Sequence, residues 1–507
     1  MFDTGCLEVA GDDVRTVHGF PGSSAVVEVS GILVCLRGEV RETVMSGDVT
    51  AAIADFTGAV AFAGIPGSVV ERAKIHILDT LGLALAGSIS NAARIARDHL
   101  AGQGVTGSGA AIFGTDLRAP PRFAAFANAV AIHADNFDDT TPQIRADRTG
   151  GIHASGAVLP TVLALGEISG ATGREVITAY LVGVEIASRL NHAIAARHYG
   201  EGFHTTGTLN IFGATSAAAY LHKLTREQTV HAIAIAASRA SGVRRNFGAM
   251  AEILHPAQAA ESGIVAVDLA TRGLTGAADA LDGPAGYLAA AGGGFDAEEI
   301  VGRLGSPWVF ENPGVWIKPH PNGALTHPGA GCLLAMLTDN DIVPGAITKI
   351  AVRTNERVLN TLIHHNPTDG TQAKFSMEFT LAIIALERQA GLGEFTADTL
   401  NRPDVRDMMG KINYSAYPDS GNDYTNVTTL IDITLSDGRT LSGRADHARG
   451  STKVPMSFDD VAKKFWQCAT YAGHPQKWSE ALLRDVSGLD HLPATEKIVN
   501  SLISMGL

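Results

Sequence analysis

Four stretches of the 507-residue chain concentrate side chains that can move protons or hold anions. The first reads His133-Ala134-Asp135-Asn136-Phe137-Asp138-Asp139-Thr140, followed by Gly151-Ile152-His153-Ala154-Ser155-Gly156. Carboxylates packed this closely repel one another unless a cation or an organised site holds them; a solvated acidic loop is the competing reading. The second is Gly202-Phe203-His204-Thr205-Thr206-Gly207-Thr208. A histidine between glycines at the start of an apolar helix suits acid or base work at a helix N-terminus, and a capping loop suits it equally. The third runs from Arg244-Arg245-Asn246-Phe247-Gly248 through Glu252 to His255-Pro256, and the fourth is Trp316-Ile317-Lys318-Pro319-His320-Pro321 with His327 beyond it. Lys318 falls at an expected domain junction, although a lone lysine is more often simply solvated.

These segments need a large scaffold, and the chain is long enough for more than one hydrophobic core, since single cores stop growing near roughly 250–300 residues. From Met45 to about residue 307 the sequence is a succession of Ala-rich helical patterns, such as VVERAKIHILDTLGLALAGS and REVITAYLVGVEIASRLNHAI. Apolar residues recur there at three- and four-residue spacing, and the many Gly and Ala positions predict helices in close contact. Over residues 308–445 the texture alternates apolar and polar residues in ITKIAVRTN and LIDITLSDGRTLSGRAD, with SDGR as a hairpin turn. Helical patterning returns over 446–507, a tail expected to rejoin the first domain. The fold class is therefore mainly α with a smaller α+β domain. Residues 1–44 read as weak strand and turn, and are expected to be an extension or leader ahead of a natural start at Met45.

Composition narrows the partners. With 52 acidic against 39 basic side chains the formal charge is −13, which disfavours nucleic acid and anionic membrane surfaces. No apolar run reaches the roughly 18–20 residues of a membrane span, and the N-terminus lacks the pattern of a signal peptide. Cys6, Cys35, Cys332 and Cys468 are scattered, with no CxxC pair, so a disulfide framework, a zinc finger and a cysteine-ligated cluster are not expected. A reducing cytoplasm is the simplest expected location.

The order and wording of several blocks resemble the MmgE/PrpD family, also called the 2-methylcitrate dehydratase family. The carriers are ERAKIHILDTLGLALAG, APPRFAAFANAVAIHADNFDDT, HASGAVLP, GFHTTGTLNIFGA, FGAMAEILHPAQAAESG, GLTGAADALDGPAGY and IKPHPNGALTHP. The resemblance spans the chain from about Val69 onward. It implies a large all-helical domain, a smaller α+β lid, an active site between them, homodimers and no cofactor. Family reactions include dehydration of methylcitrate and citrate, decarboxylation of cis-aconitate and epimerisation of iminodisuccinate, all of which move a proton at a carbon beside a carboxylate. By resemblance His153 and His204 match the two site histidines, Lys318 the site lysine of the second domain, and Thr140 a further site position. Arg244, Arg245, His255 and Ser376 join the implied substrate-binding set.

Three positions depart from the family pattern. Asn136 replaces the first acidic residue of the DFDDT-like motif, Glu252 stands where a site lysine is usual, and Phe379 replaces a tyrosine. Exchanging lysine for glutamate swings the local charge by two units, worth several kcal/mol at about 4 Å in a moderate dielectric. Arg244 or Arg245 pairing with Glu252 would compensate, as would an amine on the substrate; Arg145 and Arg148 are a further source of positive charge. The expected activity is a dehydratase-like lyase acting on a small 2-methylcitrate-like polycarboxylate. The alternatives are an isomerase of an amino- or imino-dicarboxylate, a cis-aconitate-type decarboxylase and, remotely, a non-catalytic protein.

Overall fold

The computed structural model describes residues 48–418 and 424–503, together with the backbone of three strands before them. Those strands, β1 (Val14–Val17), β2 (Ala25–Val29) and β3 (Ile32–Leu36), form an antiparallel sheet within a unit of residues 1–45 that is distinct from residues 46–507. The rest of the expected leader lies outside the described residues.

In the second unit, the helices of at least seven residues begin with α1 (Asp48–Ala59), α2 (Gly67–Ser88), α3 (Asn91–Gly102), α4 (Pro121–His133) and α5 (Ser155–Ser169). They continue with α6 (Gly173–Ala193), α7 (Asn210–Leu221), α8 (Arg226–Ala237) and α9 (Leu254–Thr271). Local chemistry sets their ends. Thr172 with Glu175 and Thr225 with Gln228 form capping boxes at α6 and α8, each satisfying two otherwise unpaired helix N–H groups. Gly170 stops α5 in a left-handed conformation. The close approach expected from Gly and Ala is real: a Cβ on Gly213 would lie 2.5 Å from the Gly183 carbonyl, so α6 and α7 touch backbone to backbone. A short ribbon of β4 (Ala110–Ala111) and β5 (Arg118–Ala119) precedes α4.

A second hydrophobic core is built from residues between Ala330 and Leu435. It contains α10 (His327–Asp339), α11 (Met377–Glu387) and α12 (Pro403–Gly410), with strands β6 (Ile347–Thr354), β7 (Ile412–Ala416), β8 (Thr429–Leu435) and β9 (Thr440–Ala445) in the order β7-β6-β8-β9. Strands β6 and β7 run parallel, and β8–β9 is the hairpin that SDGR predicts, with Gly438 at φ 87° in its turn.

The tail carries α13 (Phe458–Tyr471), α14 (Gln476–Ser487) and α15 (Glu496–Leu502), whose Val461, Phe465, Leu482 and Val499 belong to the first core. Helix α13 packs on α2. There the buried Lys464 Nζ lies 2.7 Å from Asp79 and donates to the Phe137 carbonyl at 3.0 Å. The tail thus anchors the acidic loop that follows α4.

Candidate active site

Helix α4 ends at His133, and the chain then turns through Asn136 in the left-handed region at φ 51°, where asparagine is among the better-tolerated non-glycine residues. The turn sends Asp138 and Asp139 toward the N-terminus of α5, whose unpaired N–H groups favour negative charge. Asp139 Oδ1 accepts from the Ser155 N–H at 3.3 Å. Its other oxygen is held by the Ser155 hydroxyl and by His76 Nδ1 at 3.1 Å, and Ser155 in turn meets the Tyr180 hydroxyl at 2.6 Å. Gly156 leaves room for this: a Cβ there would lie 2.8 Å from Asp138 Oδ2. The acidic run is therefore an organised site, and Asp138 and Asp139 are fully buried.

His153 follows directly. Its Nδ1 lies 2.6 Å from the Asp139 carbonyl oxygen. A carbonyl only accepts, so Nδ1 carries the hydrogen and Nε2 of the neutral ring keeps its lone pair. The His204 motif fixes the same residue from the other side: Thr206 Oγ1 accepts from the His153 N–H at 3.2 Å, and Asn210 Nδ2 donates to the His153 carbonyl at 2.7 Å. His204 directly precedes a one-turn helix, Thr205–Thr208, and its Nδ1 lies 2.7 Å from Nδ1 of His255 on α9, one ring donating and the other accepting. Phe247 packs edge-on against His204 with ring centroids 4.7 Å apart.

The segment between the two cores delivers the lysine. Thr140 and Trp316 exchange two backbone hydrogen bonds at 2.9 and 2.8 Å, which docks Lys318 against the loop. Its Nζ donates to the Asn136 carbonyl at 2.9 Å and to Asn136 Oδ1 at 2.7 Å. Because Asn136 is neutral, it holds the ammonium without cancelling its charge. A second cross-link, Lys374 Nζ to Asp135 Oδ1 at 3.1 Å, ties the second core to the same loop.

Electrostatics bind these groups into one cluster. Burial, reinforced by the Lys318 charge, pulls His153 down to about 4. Burial and the neighbouring His255 and His153 hold His204 well below the ordinary imidazole range, and burial also lowers His255 to about 4. Lys318 falls to about 8, lowered by burial against the opposing pull of Asp138 and Glu252. Burial alone would raise Asp138, but His133, hydrogen-bonded to it at 2.8 Å, and Lys318 hold it well below the usual carboxylate range. Glu252 moves the other way: burial raises it, opposed by His133, the Gly248 N–H and Lys318. Glu252 is partly buried, and its Oε2 accepts from the Gly248 N–H at 3.0 Å.

The other implied binding residues are placed differently. Neither arginine forms an ion pair with Glu252 among the described residues; Arg244 lies over the Tyr199 ring at 3.9 Å, and Arg245 is exposed. Arg145 and Arg148 are engaged with Asp147 and Asp296. Ser376 caps α11 by accepting from the Phe379 N–H at 3.2 Å. Phe379 is buried in the second core against Phe395, with centroids 5.4 Å apart. Sequence reasoning named His133, Asp138 and Asp139 only as members of a cluster, and missed Lys374 and Lys464 entirely. Both lysines reach the loop from distant parts of the chain, with no local signal to mark them. Among the described residues no group of three or more His, Cys, Asp or Glu is arranged to hold a metal ion, and no helix is long and apolar enough to cross a membrane.

The helical core thus holds a buried cluster of histidines and carboxylates, and the segment leading to the smaller α+β core adds Lys318 to it. Profiles of the MmgE/PrpD N-terminal and C-terminal domains match residues 51–300 and 320–486, and the chain belongs to that family. It is similar to the cis-aconitate decarboxylase of Homo sapiens, 29% identical over 441 residues covering 84% of this chain and 88% of the relative. The cis-aconitate decarboxylase of Mus musculus is 28% identical over 78% of this chain and 82% of its own length. That of Aspergillus terreus is 24% identical over 82% and 88% respectively. The chain is an enzyme of the lyase class.

Proposed function

We propose that this lyase decarboxylates a cis-aconitate-like polycarboxylate, with His153 exchanging the proton and Lys318 binding a retained carboxylate. The relatives favour this alternative over the dehydratase reading of a 2-methylcitrate-like acid. The observation that carries it is the pairing of a tautomer-fixed His153 with a buried Lys318 whose charge it feels. In such a reaction the bond to the departing carboxylate breaks and its electrons form a new C=C bond. The electrons of the old double bond take a proton at the carbon beside another carboxylate. A cation must hold the anionic end as charge moves, and a proton donor must face the carbon. Without ligand, burial and Lys318 disfavour protonated His153. A bound polyanion offsets the Lys318 charge, so the proton enters with the substrate.

Incubation with cis-aconitate, followed by proton NMR, tests the reaction. Terminal methylene signals with release of CO2 are expected; citrate as the sole product, formed by hydration, would overturn decarboxylation in favour of a hydro-lyase.

Glu252 favours a second reading, in which the substrate is a dicarboxylate bearing an amine or imine that the glutamate holds, and the enzyme epimerises it. Glu252→Gln separates the two. If the substrate is a plain polycarboxylate, removing the negative group is expected to raise its affinity about ten- to a hundredfold, the worth of roughly 1.5–3 kcal/mol for a charged interaction. If the substrate carries an amine, the same change abolishes its turnover and leaves plain acids unaffected. Affinity for a plain acid is also expected to rise as pH falls toward the raised pKa of Glu252, because its carboxyl then becomes neutral.

A further inference from the structure

We propose that His133, backed by Asp138, is a further substrate-binding residue: its Nε2 takes up a proton as the anionic substrate enters and donates it to a second substrate carboxylate. The inference rests on the polycarboxylate reading above and names the group that replaces a second lysine in this site.

Geometry carries it. His133 Nδ1 lies 2.8 Å from Asp138 Oδ2. Asp138 is held ionised and can only accept, so Nδ1 carries the hydrogen. The opposite nitrogen, Nε2, is buried and has no hydrogen-bond partner among the described residues, and a polar atom left this way calls for a partner that the resting site does not supply. The ring sits in the cluster, 5.3 Å from the His153 ring between centroids. The charged and titratable groups it faces are Asp138 and His153 beside its own loop, His204 before the one-turn helix, and Glu252 and His255 around the start of α9. Lys318 completes the set through Asp138.

The chemistry follows from what stands behind each ring. His153 rests on a neutral carbonyl, and His204 on another imidazole. Of these three rings, His133 alone hydrogen-bonds a carboxylate among the described residues, and a carboxylate there stabilises the imidazolium that forms when Nε2 gains a proton. His133 is also the last residue of α4, where the helix dipole favours positive charge. A polyanion with one carboxylate on Lys318 would thus meet a second, proton-dependent cation that Asp138 fixes in place.

Two substitutions separate this role from a structural one. Asparagine reaches only the Nδ1 position, so His133→Asn keeps the donor to Asp138 and removes the group at Nε2. Glutamine reaches the Nε2 position, so His133→Gln keeps a donor there and gives up the bond to Asp138. The probe is tricarballylate, a saturated tricarboxylate, titrated calorimetrically into the full chain at pH 6 and pH 8 in buffers of different ionisation heat. Wild type is expected to take up a proton on binding. His133→Asn should lower affinity at pH 6 at least tenfold and remove its own share of the uptake, leaving that of His153, whereas His133→Gln should keep affinity within about threefold and flatten its pH dependence. Repeating the series on His153→Gln and on Glu252→Gln removes the other groups proposed to take a proton, and the His133-dependent share of the uptake should survive.

Wild-type affinity in His133→Asn with loss of binding in His133→Gln would overturn the proposal and leave His133 as a prop for Asp138. If wild type does not bind tricarballylate, the polycarboxylate reading fails. Nitrogen-15 NMR of the His133 ring with succinate, a simple dicarboxylate, then decides separately: an Nε2–H signal appearing on its addition supports the proposal, and a permanently bare Nε2 overturns it.

Discussion

His153→Gln is expected to lower kcat/KM for cis-aconitate by about 10³- to 10⁴-fold, the upper range for removing a positioned proton-transfer group. Glutamine spans a similar volume but cannot carry a proton between solvent and carbon. The fold should survive, because the backbone of residue 153 is gripped independently by Thr206 and Asn210, so the thermal midpoint should move little. His153→Asn retains a donor for the Asp139 carbonyl and should be equally inactive, which separates loss of the proton carrier from loss of the anchor. Steady-state kinetics with a thermal melt of each variant checks this. Activity within tenfold of wild type in both would remove His153 from the proton step.

Lys318→Met is the second large effect. The ammonium is buried and cradled by the uncharged Asn136. Removing one partner of a buried, hydrogen-bonded charge pair costs about 2–5 kcal/mol, or roughly 30- to 5,000-fold in affinity for a polycarboxylate. Arginine should not rescue it: a planar fork does not fit two oxygens of a single asparagine that hold a compact ammonium. The pH dependence carries a definite sign. Because burial lowers Lys318 to about 8, its cation is present below that pH and lost above it. The kcat/KM of wild type should therefore fall as pH rises through about 8, and this limb should vanish in Lys318→Met. An unchanged alkaline limb in the variant would assign it to another group.

Much of this arrangement was legible in the sequence because the signals were local. Helical periodicity over residues 45–307 and the SDGR hairpin reflect spacings of a few residues, and the structure places helices and β8–β9 there. The three carboxylates after His133 fit a solvated acidic loop better than a site unless an organising partner offsets their repulsion. That partner proved to be composite: the N-terminus of α5, His76, His133 and Lys318. What stayed hidden depends on contacts between distant segments. Lys464 lies more than three hundred residues from Phe137, and its role in holding the loop follows only from the packing of α13 on α2. The fate of Glu252 was equally opaque, since pairing with Arg244 required knowing that Arg244 stacks on Tyr199 instead. The hydroxyl of Ser376 looked like a ligand group by resemblance, yet it serves as the cap of α11.

Solvent deuterium in the product tests the central claim, proton transfer by His153 at a carbon beside a carboxylate, most directly. With cis-aconitate turned over in deuterated water, the account predicts a dicarboxylate carrying one deuterium at the saturated carbon next to a carboxylate and none at the new terminal methylene. It further predicts that His153→Gln abolishes this labelling. Product formed without solvent deuterium, or full labelling in His153→Gln, would contradict it.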